Sequence, residues 1–261
     1  MQHVNVKVHG SVATIMMDRP QCRNALSPQL FADLRLALSD IHQEKRVGAV
    51  LLTGGGEHFC SGVDLKVFRA IADMPQQQAL TEWLSIWRQL TELLEEMLRF
   101  PKPIIAAIDG AAVGAGLALA LAADMIVMTD RGKLSAPAAR RGFVGGATAA
   151  LLSFRFGAAI AARMLLAGQT IDADEAYRLG MCDRPVPPDQ IWVAASQLAE
   201  QCARAPREAL QATKRLLNES IGETLLTQLS AGAADSATSC TTASAAEGIK
   251  SFLEGRDPQW P

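Results

Sequence analysis

Few segments of this chain carry side chains whose types and spacing could do chemistry. Phe59-Cys-Ser-Gly-Val-Asp-Leu65 offers a hydroxyl at Ser61 and a carboxylate at Asp64, with His58 just before it. A serine hydrolase would set Ser61 on a G-x-S-x-G elbow and bring its base from a distant segment. The elbow is missing, and His58 lies too close along the chain to be an obvious base. Gly114-Ala-Gly116 makes a tight turn whose small residues allow close approach to the backbone. Asp124 follows a run of Leu and Ala, where a carboxylate usually caps a helix or meets a cation. Arg140 and Arg141 form a basic pair of the kind found in solvated turns. The five cysteines, Cys22, Cys60, Cys182, Cys202 and Cys240, include no CxxC pair. Reduced thiols in a cytoplasmic protein are therefore expected, with no metal site.

These residues sit between elements that the apolar pattern marks out. Val4 to Val8 alternates, His9-Gly10-Ser11 turns, and Val12 to Met17 resumes, which predicts a hairpin. Ser27-Pro28 opens a helix with Leu30, Phe31, Leu34, Leu38 and Ile41 on one face. Val47 to Leu52 is a short apolar strand. A long helix is expected from about Gln78 to Leu98, carrying Leu80, Leu84, Trp87, Leu90, Leu94 and Met97, and ended by Pro101 and Pro103. A buried strand over 104–108, a turn over 110–116, a short helix over 117–123 and a strand over 125–129 follow. Strands alternating with helices predict an α/β core with parallel strands. Beyond Ala147 the pattern is almost wholly helical, with starts at Thr170 to Glu175 and at Pro206, and a last helix over 247–254. The Ala-, Ser- and Thr-rich stretch 230–246 is left without an assignment.

The 261 residues suit one large domain, or a core with a short terminal module. Hydrophobic residues make up 49% and charged residues 20%, which excludes a disordered chain. A net charge of −2 gives no reason to expect nucleic acid. The N-terminus has no signal-peptide pattern, and the apolar stretch 104–128 is broken by Asp109, Asp124 and glycines, so no membrane span is expected.

Taken in order, four segments resemble the enoyl-CoA hydratase/isomerase (crotonase) family. They are Asp18-Arg-Pro-Gln-Cys-Arg-Asn-Ala-Leu26, Phe59 to Leu65, Lys102-Pro-Ile-Ile-Ala-Ala-Ile-Asp-Gly110 running on to Gly116 and Asp124, and Ala246-Glu-Gly-Ile-Lys-Ser-Phe-Leu-Glu-Gly-Arg256. The resemblance implies a spiral of repeated ββα units with a helical C-terminal third. The α/β core would cover 1–200, and 201–261 a helical region for trimerisation or lid formation. The ligand would be an acyl-CoA or acyl-carrier thioester, with coenzyme A part of the substrate and no separate cofactor, bound by a homotrimer or hexamer. An enolate forming from that thioester needs two convergent donors, which backbone amides can supply without titrating. By position in the motifs these are the amides of Val63 and Ala115. The resemblance further assigns Arg23, Ala25 and Leu26, with Ser61, Lys66, Gly114 and Phe252, to thioester and CoA contacts. Trp83, Trp87, Arg140 and Arg141 are candidates for the pocket, and Asp64 is a brace for its loop. Where the family often has a lysine three residues after the aromatic, this chain has Gly255.

The resemblance stops at the acid–base groups. Family hydratases hold and activate water with two glutamates, and the corresponding positions here are Ala118 and Ala138. Alanine moves no proton, so ordinary hydration is not expected. Three readings remain open. The first is an enzyme whose proton donor or acceptor lies elsewhere, or one needing little proton transfer from the protein, such as a thioester decarboxylase, toward which Gly142-Phe143 points. The second is a catalytically silent CoA-binding or assembly subunit, and the third the serine hydrolase considered above.

Overall fold

The computed structural model describes residues 1–220 and 223–261. Alternating valines form β1 (Val4–His9), which turns at left-handed Gly10 into β2 (Val12–Met17). The Ser27 hydroxyl accepts from the Leu30 amide and starts α1 (Pro28–Gln43). Then come β3 (Ala49–Gly54), α2 (Leu65–Ala72) and α3 (Gln76–Arg99). They lead to β4 (Ile104–Ile108), β5 (Ala111–Val113), α4 (Ala115–Ala122), β6 (Met125–Met128) and β7 (Lys133–Ser135). α5 (Gly146–Leu165), β8 (Ile171–Asp172), α6 (Ala173–Arg178), α7 (Ile191–Ala203) and α8 (Arg207–Arg215) come next. The chain closes with α9 (Glu223–Ser239) and α10 (Ala243–Glu254).

The larger sheet has the order β1-β2-β3-β4-β6, parallel except for the β1–β2 hairpin. A three-stranded sheet, β5-β7-β8, stands beside it. β1-β2-α1, β4-β5-α4 and β6-β7-α5 are ββα units, with β3, α2 and α3 between the first two, the repeat that the resemblance implies. The apolar strands are explained by cover on both faces. Val50 and Leu52 join the main core with α1, α3 and α4, whereas Ala49 and Leu51 face Ala195 and Ala199 of α7.

The C-terminal helices return to this core. α9 lies against α3 and α5, so closely that a Cβ on Gly146 would fall 2.1 Å from the Gly232 carbonyl oxygen. α8 is tied in by Lys214, whose ammonium is 2.8 Å from Asp124 and donates to the Lys102 carbonyl at 3.2 Å. Arg155 donates to the carbonyls of Leu121 and Ala123 at the end of α4. α5 is apolar and long enough to cross a membrane by length and composition, and it packs against α4 and α9.

Several expectations are corrected. The stretch 110–116 is more than a turn, because 111–113 is a strand. β5, β7 and β8, three, three and two residues long, are too short to show a periodic pattern. α2 forms a further helix ahead of the long one, and the strand expected at Val47 begins at Ala49. The unassigned stretch 230–246 is the end of α9, a turn and the start of α10. The helical region expected over 201–261 includes Ile221 and Gly222, which lie outside the described residues.

Candidate active site

The site is built where three loops meet. The first, 18–27, is held open by Asn24, a buried residue with φ 54°, a left-handed conformation that asparagine tolerates better than most. Its side-chain amide donates to the carbonyls of Gly55 (2.9 Å) and His58 (2.8 Å), and its oxygen accepts from the Arg19 amide at 2.9 Å. Arg19 reaches the Ala25 carbonyl and pairs with Asp64 at 3.1 Å. Asp64 also caps α2 by accepting from the Lys66 amide at 3.0 Å. Its carboxylate is thus occupied by the frame, in line with the bracing role expected of it.

The second loop runs from β3 to α2. Leu26 pairs with it as a one-residue parallel bridge, donating to Gly62 O and accepting from Asp64 N, each at 2.8 Å. Those bonds leave the N–H of Val63 pointing away from Leu26. The third loop enters α4. Cys60 bridges to it through Cys60 N to Ala111 O (3.0 Å) and Val113 N to Cys60 O (2.9 Å). Glycine is required at both contacts. A Cβ on Gly62 would lie 2.9 Å from the Val113 carbonyl oxygen and 3.6 Å from the Ala115 nitrogen, and one on Gly116 would lie 2.3 Å from the Cys60 carbonyl oxygen. Gly114, with φ 53° and ψ −116°, turns the chain so that Ala115 begins α4. Among the described residues the amides of Val63 and Ala115 have no acceptor in the protein. Both line one cavity, and Ala115 lies at the positive end of its helix.

That cavity, about 570 Å³, brings together most of the residues selected from the sequence. Arg23, Ala25, Ser61, Lys66, Trp87, Gly114, Arg141 and Phe252 line it with Val63 and Ala115, and so does Ala138. Arg141 lies with its guanidinium 4.9 Å from the centre of the Phe252 ring, joining the loop before α5 to α10. No carboxylate among the described residues pairs with it.

Four selected residues fall elsewhere. Leu26 is fully buried, because its backbone carries the bridge and its side chain fills the core. Trp83, 2% exposed, is turned into the core behind Phe68. Arg140 faces outward and donates to the Ala167 carbonyl. Ala118 has 0% exposure and packs in the core, whereas Ala138 borders the cavity, so the two positions are not equivalent. Asp124 is the ion-pair partner of Lys214, as expected of it, and burial lowers the Lys214 pKa against the raising influence of that carboxylate.

The serine-hydrolase reading lacks a base. The His58 ring nitrogen accepts from the Ala111 amide at 3.3 Å, no histidine lines the cavity among the described residues, and the Ser61 hydroxyl donates to the Cys22 carbonyl. Cys60 is no nucleophile, because burial pushes its thiol up to about 12. Residue types alone did not single out Asn24 and Arg19 as the staple, or Cys22, Phe68 and Thr148 as cavity lining.

The arrangement can accept a carbonyl oxygen between two amides and hold anionic groups near Arg23, Lys66 and Arg141, beside an apolar chamber. The family profile described as enoyl-CoA hydratase/isomerase matches residues 7–261. A Thermus thermophilus protein carrying an enoyl-CoA hydratase name is 34% identical over 96% of this chain and 98% of its own. The 1,2-epoxyphenylacetyl-CoA isomerase of Escherichia coli is 29% identical over 100% of this chain and 98% of its own. The crystal structure of an enoyl-CoA hydratase from Mycobacterium avium is similar at a TM-score of 0.85 and 27% identity, covering 99% of each chain.

Proposed function

The chain belongs to the enoyl-CoA hydratase/isomerase family, and on that premise we propose that it binds an acyl-CoA thioester and stabilises its enolate between the amides of Val63 and Ala115. The observation that carries this reading is the convergence of two N–H groups without protein acceptors on one cavity. Such donors are set before the ligand arrives and act where charge develops in the transition state. Arg23 and Lys66 supply positive charge for the phosphates of coenzyme A, which enters as part of the substrate.

Hydration by a pair of carboxylates is not part of this proposal. Ala138 presents a methyl group to the cavity, Ala118 is packed away from it, and the Asp64 carboxylate is held by Arg19 and the α2 cap. A second reading, decarboxylation of a thioester bearing a carboxylate on its α-carbon, is favoured by Arg141, a cation on the cavity without a carboxylate partner among the described residues. In that reaction the carbon–carbon bond to the carboxylate breaks and CO₂ leaves. The electron pair passes to the thioester enolate held by the two amides, and solvent returns a proton to carbon.

Crotonyl-CoA tests the main reading. The protein should bind it without consuming the conjugated thioester absorbance. Turnover at the rate of a hydratase would overturn the exclusion of hydration, and failure to bind any CoA ester would overturn the thioester reading. Release of CO₂ from malonyl-type thioesters would establish the second reading over a silent binding subunit.

A further inference from the structure

The apolar end of the cavity carries an arrangement that neither the amide pair nor the cations explain. Phe68 on α2, Trp87 on α3 and Phe143 in the loop before α5 all line it. Phe68 is the hub, with its ring centre 5.7 Å from that of Trp87 and 5.4 Å from that of Phe143, each pair inclined at 66°. From behind, Trp83 meets Phe68 edge-on, at 5.0 Å and 87°, and fixes its orientation. Three rings from three separate elements thus present mutually tilted faces and edges to one chamber. Leu90 and Ala138 also line the cavity, and neither brings a charge or a hydrogen-bonding side chain.

Resting on the thioester reading above, we infer that this chamber selects an acyl group ending in an aromatic ring. Aromatic rings carry a negative face and a positive edge, so a ring packing against these inclined rings can set its face on an edge and its edge on a face. An alkyl chain has no such quadrupole and loses several rotors on binding, whereas a ring on a one-carbon tether has few to lose. Phenylacetyl-CoA and octanoyl-CoA separate this from mere oiliness, because both acyl groups have eight carbons. Buried apolar area alone favours the longer, more hydrogen-rich octanoyl chain.

The experiment is isothermal titration of the full-length protein with acetyl-, octanoyl- and phenylacetyl-CoA, repeated with Phe143→Leu and Phe68→Leu. The wild type is expected to bind phenylacetyl-CoA about five- to tenfold more tightly than octanoyl-CoA, the scale of an added aromatic pair. Phe143→Leu keeps an apolar wall, so it should abolish or reverse that preference while leaving acetyl-CoA affinity within twofold. Because Phe143 is only partly buried, this variant carries the test even if Phe68→Leu fails to fold. Octanoyl-CoA binding as tightly as phenylacetyl-CoA, or a preference unchanged in Phe143→Leu, would overturn the inference and leave the thioester reading standing. If no ester binds, acetyl-CoA included, the thioester reading falls and takes this inference with it.

Discussion

Replacing Gly116 by alanine tests whether the contact between the second and third loops sets the two amides. A Cβ at this position would lie 2.3 Å from the Cys60 carbonyl oxygen and 2.8 Å from both the carbonyl carbon and the Cβ of Cys60. Relieving that contact requires the loops to part by about 1 Å, since non-bonded heavy atoms prefer roughly 3.5 Å or more. The same carbonyl accepts from Val113 N at 2.9 Å, so the movement strains the bond that ties the loops together. Val63 and Ala115 lie on opposite sides of this seam, and their amides should cease to converge. A displacement of about 1 Å in such a site can cost on the order of 10²-fold in the reaction it supports.

The effect on stability should be smaller. Over-packing costs about 1–3 kcal/mol, offset by about 1 kcal/mol because alanine is the better helix former. At 2–4 °C per kcal/mol for a chain of this size, the melting temperature should fall by no more than roughly 8 °C. Isotope-edited infrared spectra of a bound acyl-CoA give a direct readout. The thioester carbonyl should be red-shifted in the wild type and return toward the free-ester frequency in Gly116→Ala. Gly114→Ala is the control of opposite kind, since its Cβ would meet nothing within 4 Å and its penalty lies in the backbone conformation. A Gly116→Ala protein that keeps the full red shift would refute the role assigned to this seam.

Three further outcomes are expected. Ala118→Glu should lower the melting temperature sharply or prevent soluble folding, because it forces a carboxyl group into the core, whereas Ala138→Glu should fold normally with its carboxyl group at the cavity. Thermal denaturation of Asp124→Ala should show a loss of about 3–5 kcal/mol, because Lys214, 6% exposed, is left as a buried cation beside Arg155; Lys214→Met should cost clearly less. Hydrogen bonding from Arg256, then from the Gln259 amide, holds Glu247 at about 2, below its ordinary 4.5. A depressed acid contributes stability that is present above the unfolded value and lost as pH falls through the folded one. The protection factor of the Gln259 amide, the unprotected exchange rate divided by its own rate at the same pH, should therefore be high near pH 7 and fall between about 4.5 and 2, but be low throughout in Glu247→Gln.

What the sequence could disclose depended on how local each feature is. The hairpin, α1 and the helix–strand alternation were legible because their patterns repeat within one element. Val63 and Ala115 were legible through the motifs around them, and the structure brings both onto one cavity. The Asn24 staple was not, because its acceptors lie 31 and 34 residues away and no periodicity marks them. Nor was the aromatic chamber, whose rings come from α2, α3 and a loop and share no common spacing. Trp83 and Trp87, one turn apart, looked like equal candidates, yet only Trp87 reaches the cavity.

Ala118 and Ala138 show the same limit from the other side. As letters they are identical, and the family resemblance sets the same expectation at each. In the fold they differ in kind, because Ala138 borders open space whereas Ala118 is closed in among core side chains on every side. Position 138 is a wall on which a carboxyl group can be placed. Position 118 is part of the packing, and placing a carboxyl group there requires the core around α4 to open. A carboxyl group is thus expected to be accommodated by one substitution at 138 and not at 118. Placing carboxyl groups at both positions would require repacking as well as replacement.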